Sequence, residues 1–465
     1  MESTSTAKLS PSKLKVAIST LGCSRNEVDS EELAGRLEAA GWQLVSANED
    51  ADIAVINTCG FIETAKQDSI NTLLEADNLK NQGKYKAVVA VGCMAQRYGQ
   101  ELEAALPETD GILGFDSYQE ISQKLKEVLQ GIKPEAPTPV DRRELLPISP
   151  IERKKPIINP LVRSRISSTF WAPLKIASGC DRRCAFCAIP QFRGAFQSRP
   201  IAEIIEEANW LSMNAVSEIF LVSENTTSFG KDLGDLTSME KLLPQLAQIK
   251  RITRIRLSYL QPAEIRPSLL QSMISTDKVM PYFDISFQHA SNKILRRMRR
   301  FGGAEEFLHL ISQIRALSPL AGIRSNFIVG FPGEEEEDFE ILENFISQAE
   351  FDAVGIFPYS DEDGTEGLTL DGKVPEEVIL ERVAKLSKVA EVSTTKRAEK
   401  RIGQKIFVLV EDLENCEGRC DFQAPEVDGS CVIKNLNPKQ HKLGDYLYCE
   451  VVGNDGVDLI VEAIN

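Results

Sequence analysis

The chain has 465 residues, of which 42% are hydrophobic and 26% charged, and its 53 Lys and Arg against 69 Asp and Glu give a formal net charge of −16. This composition is typical of a globular protein of about two to four domains and argues against fibrous and disordered classes. An acidic chain is poorly suited to general phosphate binding, and no uncharged apolar run approaches the roughly 18 residues of a membrane helix. We expect a cytoplasmic protein without a membrane segment.

The numbers of histidines and cysteines limit which metal sites and disulfide bonds the chain can form. The three histidines, His289, His309 and His441, are far apart in sequence, which disfavours a zinc site built mainly from histidine. The chain also has ten cysteines, and its N-terminus lacks the apolar core of a secretory signal. In that setting cysteines are expected to be thiols or metal ligands rather than a disulfide framework.

Residues 14–130 are predicted to form an N-terminal domain with an open parallel sheet, after a disordered tail at 1–13. Short runs rich in Val and Ile alternate there with helix-like stretches, a rhythm typical of βαβ units. The expected strands lie at 15–22, 51–59, 86–92 and 110–115, and the expected helices at Asn26–Ala40, Ile62–Lys80 and Arg97–Leu106.

A proline-rich segment at 131–165 follows, with seven prolines between Pro134 and Pro160. It predicts an extended linker, because proline removes a backbone donor and fixes φ. Residues 166–401 again alternate, and six βα units predict a partial (β/α)6 barrel rather than a full eight-unit barrel. The strand candidates lie at 173–179, 218–224, 253–260, 282–288, 322–330 and 353–360, and the helices at Ile201–Asn214, Ala263–Ser275, Ala304–Ala316, Glu335–Glu350 and Pro375–Lys400.

Residues 402–465 have a different sequence pattern. Short runs of alternating apolar and polar residues are separated by Gly, Asn and Asp, which predicts a small all-β barrel. The fold class is therefore α/β, with an N-terminal open parallel sheet, a central partial barrel and a C-terminal β-barrel.

Cys180, Cys184 and Cys187 directly follow the first strand of the predicted central barrel. This spacing lets one loop wrap one inorganic centre, and soft thiolates favour an iron–sulfur cluster or zinc. A four-iron cluster held by three cysteines keeps one iron open for a substrate. The alternatives are a structural zinc site missing a ligand or three unrelated buried thiols, and the position after the first of six strands disfavours both.

This CxxxCxxC loop, with Phe186 before its third cysteine, resembles that of the radical SAM superfamily. The resemblance implies that Cys180, Cys184 and Cys187 hold a 4Fe–4S cluster whose open iron chelates S-adenosylmethionine. One-electron cleavage of that cofactor would release a 5′-deoxyadenosyl radical. The resemblance also implies cofactor contacts from a set of residues in the loop and after the second and fifth strands: Phe186, Glu224, Asn225, Gly330, Phe331, Pro332 and Gly333.

Two of these assignments keep a structural alternative. The glycines of 330–333 could let the backbone approach the adenine of S-adenosylmethionine. A tight turn between strand and helix explains them almost as well. His289 could line the pocket or be a structural histidine.

Cys23, Cys59 and Cys93 each follow an apolar strand candidate. Ligands of open parallel sheets bind at the carboxyl ends of the strands, so three cysteines at successive ends are expected to converge. Three coincidental core thiols are the alternative, since free cysteine is often buried.

Here the resemblance narrows to the methylthiotransferase family, and it covers the chain from Leu14 to its end. The matching motifs are LGCSRNEVDSE (21–31), NTCGF (57–61), VGCMAQR (91–97), SGCDRRCAFCAIPQFRG (178–194), SRP (198–200), FQHAS (287–291) and FIVGFPGEEEEDF (327–339). The family joins a three-cysteine domain to a radical SAM core and a TRAM barrel. This implies a second 4Fe–4S cluster on Cys23, Cys59 and Cys93.

The branch that acts on a ribosomal protein is the most similar, through the first motif and GRCDFQAPEVDG (418–429), although that branch typically has Pro and Lys where this chain has Ser24 and Arg25. It implies methylthiolation of the β-carbon of an aspartate in small-subunit ribosomal protein twelve, using two S-adenosylmethionine and an unidentified electron donor. Methylthiolation of tRNA adenosine by the same machinery is the main alternative, and a non-enzymatic iron–sulfur scaffold is another.

Charge bears on the choice of partner. From Lys400 to Asn465 there are 7 Lys and Arg against 12 Asp and Glu. An acidic barrel disfavours tRNA phosphates and favours a basic protein.

For three further groups of residues we expect structural rather than functional roles. The basic run Arg296–Arg300 is predicted to be a solvated helix end, the acids Glu334–Asp338 to be favourable charge in a first helical turn, and Cys416, Cys420, Cys431 and Cys449 to be free thiols.

Overall fold

The structure is a computed structural model that describes residues 13–139, 141–142, 162–425 and 428–464. The expected tail at 1–13 therefore lies outside the described residues, except for Lys13. The chain divides into two compact units: the first comprises residues 1–140 and 158–168, and the second comprises 141–157 and 169–465. Among the described helices, none is long and apolar enough to cross a bilayer.

The first unit is an open parallel sheet of five strands in the order β2-β1-β3-β4-β5, as predicted. Strands β3 and β4 are buried along their whole length, and apolar clusters pack on both faces of the sheet. Continuous Val- and Ile-rich runs suit this double burial. The strands are β1 Lys15–Thr20, β2 Gln43–Val45, β3 Ile53–Thr58, β4 Ala87–Val91 and β5 Gly111–Ile112.

Four α-helices connect and follow these strands: α1 Ser24–Ala39, α2 Glu63–Asn81, α3 Gly92–Ala105 and α4 Ile121–Leu129, with a 3₁₀ turn at Phe115–Glu120. The prediction missed the three-residue strand β2 and helix α4. It also began the third helix at Arg97, five residues late, because the buried Gly-Cys-Met-Ala sequence continues the apolar run of β4. Gly92 has φ +93°, and this left-handed residue lets the helix begin directly after the strand.

The described ends of the proline-rich segment pack on the first unit. Arg163 is buried and its Nε lies 2.7 Å from Glu31 Oε2. Ala136 is also buried, and Pro137 contacts Gly99. The middle of the segment, where an extended linker is expected, lies outside the described residues.

The core of the second unit has six parallel strands, which confirms the partial (β/α)6 barrel. Strands β6, β9 and β10 form one sheet and β11, β12 and β13 another, and parallel bridges at Ile255–Val279 and Leu260–Ile285 link β10 to the β11 region. The two short strands β7 and β8 pair next to the cysteine loop. The bounds are β6 Trp171–Lys175, β7 Ala177–Ser178, β8 Gln197–Ser198, β9 Glu218–Val222, β10 Arg254–Leu257, β11 Tyr282–Asp284, β12 Gly322–Val329 and β13 Ala353–Pro358.

Helices surround this core, and a large cluster of Leu, Ile and Phe side chains fills the space between helices and strands. The helices are α5 Ile189–Arg193, α6 Ile201–Met213, α7 Ser238–Ala247, α8 Pro267–Ser275, α9 Asn292–Arg297, α10 Ala304–Leu317, α11 Glu336–Ala349 and α12 Glu376–Glu399.

The C-terminal part of the second unit is a closed five-stranded barrel in the order β14-β15-β16-β18-β17, which confirms the small all-β barrel. Four strands were predicted, and the fifth, β15, was missed because its four residues follow a tight turn at Cys416, which has φ +58°. The strands are β14 Lys405–Asp412, β15 Glu417–Cys420, β16 Cys431–Ile433, β17 Tyr446–Asp455 and β18 Asp458–Ala463.

A buried carboxylate joins this barrel to the core. Glu218, the first residue of β9, lies 2.6 Å from Arg256 Nε and receives both Nη atoms of Arg419 at 3.0 Å. Arg254 Nη1 lies 3.9 Å from the same carboxylate. Burial by itself would raise the pKa of Glu218, but the three guanidinium groups outweigh it and hold the pKa well below its usual range.

Because the folded-state pKa is depressed, Glu218 stabilises the fold above the unfolded-state pKa of about 4.3, and this contribution is lost as the pH falls. The core arginines also bond to barrel backbone: Arg256 donates to the carbonyls of Cys420 and Asp421, at 3.0 and 2.6 Å.

We expect Glu218→Gln to lower the free energy of unfolding by about 3–5 kcal/mol, because it leaves buried guanidinium groups without their shared counter-charge. Urea unfolding at neutral pH measures this. The matched control is Lys385→Gln, which breaks a partly exposed pair with Glu343 and is expected to cost less than about 1 kcal/mol. Equal, small effects in both variants would contradict the role of Glu218.

Candidate iron–sulfur and cofactor sites

Three cysteines of the first unit lie at the carboxyl ends of adjacent parallel strands. Cys59 directly follows β3, Cys93 lies in the first turn of α3 directly after β4, and Cys23 immediately precedes α1, three residues after β1. Strands β1, β3 and β4 are neighbours in the sheet, so the strand order brings these distant residues to one edge. Their positions agree with the sequence pattern, and their role as ligands stays a prediction.

The side chain of Asn26 connects these strand ends. Its Nδ2 donates to the carbonyls of Leu21, after β1, and Thr58, at the end of β3, at 2.8 and 3.2 Å. Its Oδ1 accepts from Cys93 Sγ at 3.4 Å. A buried amide with these partners holds the three cysteine-bearing segments in register. The sequence motif contained this residue, but its role depends on contacts that are 32 and 67 residues apart.

Gly22 allows the segment before Cys23 to approach Cys59. It has φ +94°, and a Cβ at this position would lie 2.8 Å from both Cβ and Sγ of Cys59. Ser69 fixes the other side, since its Oγ accepts from the Cys59 backbone N–H at 2.9 Å.

The second cysteine set lies in the loop after β7, and backbone hydrogen bonds tie this loop to distant elements. Cys180 N donates to the Gly194 carbonyl at 3.1 Å, and Ala185 N donates to the Met298 carbonyl at 3.1 Å. Gly367 N donates to the Ala185 carbonyl at 2.6 Å. Burial raises the pKa of the Cys180 thiol to about 12.

Arg182, inside the loop, adds a side-chain anchor. Its Nη2 lies 2.8 Å from Glu264 Oε1, and Glu264 also accepts from Asn225 Nδ2 at 2.9 Å and Ser228 Oγ at 2.8 Å. Burial opposes ionisation of Glu264, but Arg182 and these donors lower its pKa. Sequence analysis missed Glu264, because no motif marks it.

Asn225 and Glu224, both expected to contact the cofactor, lie just after β9. The Asn225 side chain bonds within the protein, to Ser228, Glu264 and Thr227. The Glu224 carboxylate is nearly inaccessible and lies 3.6 Å from Arg193 Nε. The geometry thus gives Asn225 a place in the anchor of the cysteine loop.

The turn Gly330–Gly333 contacts the cysteine loop through Phe331. This side chain is buried, its ring stacks edge-on against Tyr359 at 5.1 Å, and it packs in one cluster with Ala185 and Phe186. Pro332 and Gly333 follow: the Pro332 carbonyl accepts from Arg297 Nε at 2.8 Å, and Gly333 N donates to the Gly372 carbonyl at 2.7 Å. The structure therefore brings Phe186 and this turn together.

Glu334 and His289 have structural roles behind this turn. Glu334 is buried, accepts from Gly330 N at 2.9 Å and pairs with Arg382 at 2.8 Å. His289 is fully buried, with Nε2 3.3 Å from Glu334 and Nδ1 accepting from Ser291 N. The structural alternative for His289 is supported. The remaining acids cap and begin α11, with Asp338 in a capping box, as expected.

The basic run Arg296–Arg300 is only partly a solvated helix end, which corrects the sequence interpretation. Arg297 donates to the Pro332 carbonyl and pairs with Asp371 at 2.7 Å, and Arg299 pairs with Glu366. Arg300 is 5% exposed and its Nη1 lies 3.8 Å from Cys184 Sγ. Their partners lie far away in sequence, so the run alone could not reveal them.

The four C-terminal cysteines, Cys416, Cys420, Cys431 and Cys449, form no disulfide bond. Cys420 and Cys431 both lie 3.1 Å from Gln423 Oε1, and with Cys449 they pack in the apolar interior of the barrel. Within the described residues, no three Cys, His, Asp or Glu side chains gather closely enough to hold one metal ion.

Comparison with protein families gives three matches along the chain. Residues 15–114 match the Uncharacterized protein family UPF0004, residues 174–346 match the Radical SAM superfamily, and residues 402–464 match the TRAM domain. Among solved structures, a radical S-adenosylmethionine methyltransferase, TsrM from Kitasatospora setae, shares the fold, with a TM-score of 0.51 and 13% identity over 75% of both chains.

Curated relatives match over nearly the full length. The chain is 53% identical to the ribosomal protein uS12 methylthiotransferase RimO of Kineococcus radiotolerans, over 97% of both chains. It is 51% identical to the RimO of Streptomyces coelicolor, over 98% of this chain and 97% of the relative, and 50% identical to that of Cutibacterium acnes, over 97% and 98%. The chain therefore belongs to the RimO family of radical SAM methylthiotransferases.

Proposed function

We propose that this chain attaches a methylthio group to the β-carbon of an aspartate in ribosomal protein uS12, in the cytoplasm, using two S-adenosylmethionine and two 4Fe–4S clusters. The main observation behind the proposal is that this chain, a member of the family, contains two separate sets of three thiols. One set lies on three adjacent strand ends, and the other lies on one anchored loop.

Both thiol sets fit iron–sulfur clusters. Soft thiolates are the ligands such clusters use, and each set has one ligand fewer than the four irons need. The thiolates of a four-iron cluster bind different corners, so they lie farther apart than ligands of one ion. This agrees with the absence of a single-ion site among the described residues. The raised pKa of Cys180 means that binding of the metal must displace its proton.

The family uses S-adenosylmethionine with 4Fe–4S clusters, and when bound these supply radical hydrogen abstraction and sulfur transfer. The chain's own residues hold and orient them. Arg182, fixed by Glu264, and Ala185, fixed by two backbone hydrogen bonds, keep the cysteine loop in place. We assign Phe186 and the turn of Gly330, Phe331, Pro332 and Gly333 to the border of the cofactor, and Glu224 and Asn225 to the strand end beside it.

Charge supports the protein substrate over tRNA. The chain carries a formal net charge of −16, and ribosomal proteins as a class are basic, so long-range attraction favours their encounter. Phosphate binding would instead need a basic surface.

The two cysteine sets should fail in different ways. We expect Cys180→Ala, Cys184→Ala and Cys187→Ala, combined, to leave about half of the roughly eight irons of two clusters and to abolish reductive cleavage of S-adenosylmethionine. The combined Ala variant of Cys23, Cys59 and Cys93 should also lose half of the iron, yet still form 5′-deoxyadenosine without modifying uS12.

Iron analysis, product chromatography and mass spectrometry of uS12 after anaerobic reconstitution measure these outcomes. Cofactor cleavage by the first variant, or normal methylthiolation by the second, would overturn the assigned cluster sites.

Asn26→Ala should selectively weaken the site of the first unit. The change removes the amide that bonds to Leu21, Thr58 and Cys93, so we expect that unit to retain less than half of its iron while S-adenosylmethionine cleavage continues. Iron content and the electron paramagnetic resonance signal of each cluster measure this. Asn81→Ala is the control, since Asn81 is exposed and bonds only to Asp77 among the contacts described. Equal iron retention in both variants would refute the role of Asn26.

Charge reversal on the C-terminal barrel separates the two substrates. Glu414 and Glu462 are exposed, and we expect Glu414→Lys with Glu462→Lys to slow association with uS12 severalfold and to flatten its salt dependence. A tRNA substrate predicts faster association instead, because lysines add phosphate contacts. Association rates in a salt series, with both uS12 and tRNA, decide between them. Tighter binding and modification of tRNA by the wild type would reverse the proposal.

A further inference from the structure

Arg300 is a buried cation beside a cysteine of the radical SAM loop. Its Nη1 lies 3.8 Å from Cys184 Sγ, and its Nη2 donates to the Ser286 carbonyl. Among the described residues, no carboxylate oxygen lies within 4 Å of its guanidinium, although the neighbouring Arg297 and Arg299 both have carboxylate partners. Arg300 therefore differs from Arg297 and Arg299 in both burial and partner.

A buried charge without a counter-charge is strongly destabilising. Burial lowers the pKa of Arg300, and the adjacent Cys184 opposes that shift. The sulfur of Cys184 is the group at this position that becomes negative, once it is a thiolate bound to iron. The Arg300 guanidinium thus lies next to the sulfur that would carry a negative charge as a cluster ligand.

The backbone around Arg300 fixes this placement. Arg299 has φ +57°, which turns the chain sharply after α9, and Arg300 N donates to the Leu295 carbonyl at 2.7 Å. Two residues earlier, the Met298 carbonyl accepts from Ala185 N. One short segment therefore holds the cysteine loop at Ala185 and places a guanidinium at Cys184.

We propose that Arg300 is the counter-charge of the Cys184 thiolate and, by donating a hydrogen bond to that sulfur, raises the reduction potential of the cluster on Cys180, Cys184 and Cys187. The inference rests on the proposed function, because it needs that cluster. Reduction adds one electron from a low-potential donor to the cluster and breaks no bond. A cation and a hydrogen bond at the sulfur stabilise the reduced form, which carries the additional negative charge.

The test is a redox titration of the full chain, reconstituted anaerobically and reduced with dithionite, followed by electron paramagnetic resonance. The signal that changes when S-adenosylmethionine is added identifies the cluster. In Arg300→Gln we expect the ratio of reduced to oxidised cluster to fall about tenfold at a given potential, which is a shift of about 59 mV to lower potential. Arg300→Lys keeps the charge without the planar fork, and its potential should lie between the two.

Arg299→Gln is the matched control, because it removes a neighbouring arginine that pairs with Glu366 and is half-exposed. Its potential should equal that of the wild type. An unchanged potential in an iron-replete Arg300→Gln variant would overturn the inference, as would loss of the cluster from both Arg300 variants. Loss from Arg300→Gln alone would support it, since charge separates Gln from Lys.

A different result would contradict the proposed function. Wild-type protein with no signal that responds to S-adenosylmethionine would contradict the radical SAM cluster itself, whatever the Arg300 variants show.

Discussion

The carboxylate of Glu218 is the interaction on which the second unit depends. It begins β9, the second of the six barrel strands, and it is shared by arginines of the core and of the C-terminal barrel. The other end of β9 leads to Asn225, which bonds to Glu264 and through it to Arg182 in the cysteine loop. One strand therefore connects the barrel junction at its start to the cysteine loop at its end.

The two cysteine sets depend on different levels of structure. The set in the first unit is assembled by the order of three parallel strands, so the fold of the whole sheet creates it. The set in the second unit is local in sequence, and its loop needs tethers from distant segments, chiefly at Met298, Gly367 and Glu264. A mutation in the sheet core threatens the first set, while the second is vulnerable at remote hydrogen-bond partners.

Sequence patterns predicted what depends on local spacing and periodicity. The strand alternation indicated all three folds, and the cysteine positions after strands indicated where the candidate ligands converge. The patterns could not predict pairing across the chain. Arg163 reaches Glu31, and Arg300 reaches Cys184 over 116 residues, so neither the packing of the described end of the proline-rich segment nor the burial of Arg300 could be predicted.

Short elements were missed for a related reason. Strands β2 and β15 have three and four residues, and their hydrogen bonds to neighbouring strands, rather than their own composition, define them. Asn225 and Glu264 show the same limit at the site. Both side chains act through partners that only the folded chain brings together, so a motif that locates a strand end does not reveal what its polar residues contact.

The rigid junction between core and C-terminal barrel also has a geometric consequence. Buried charges and backbone hydrogen bonds, rather than a flexible linker, join the two parts. A polypeptide bound to the barrel surface would therefore lie at a fixed distance from the core. Whether its reacting residue arrives then depends on the number of residues between that residue and the held segment, because too short a tether cannot span the gap. For a polypeptide bound in this way, residues inserted into the tether would change which residue reaches the core without altering any contact of the junction.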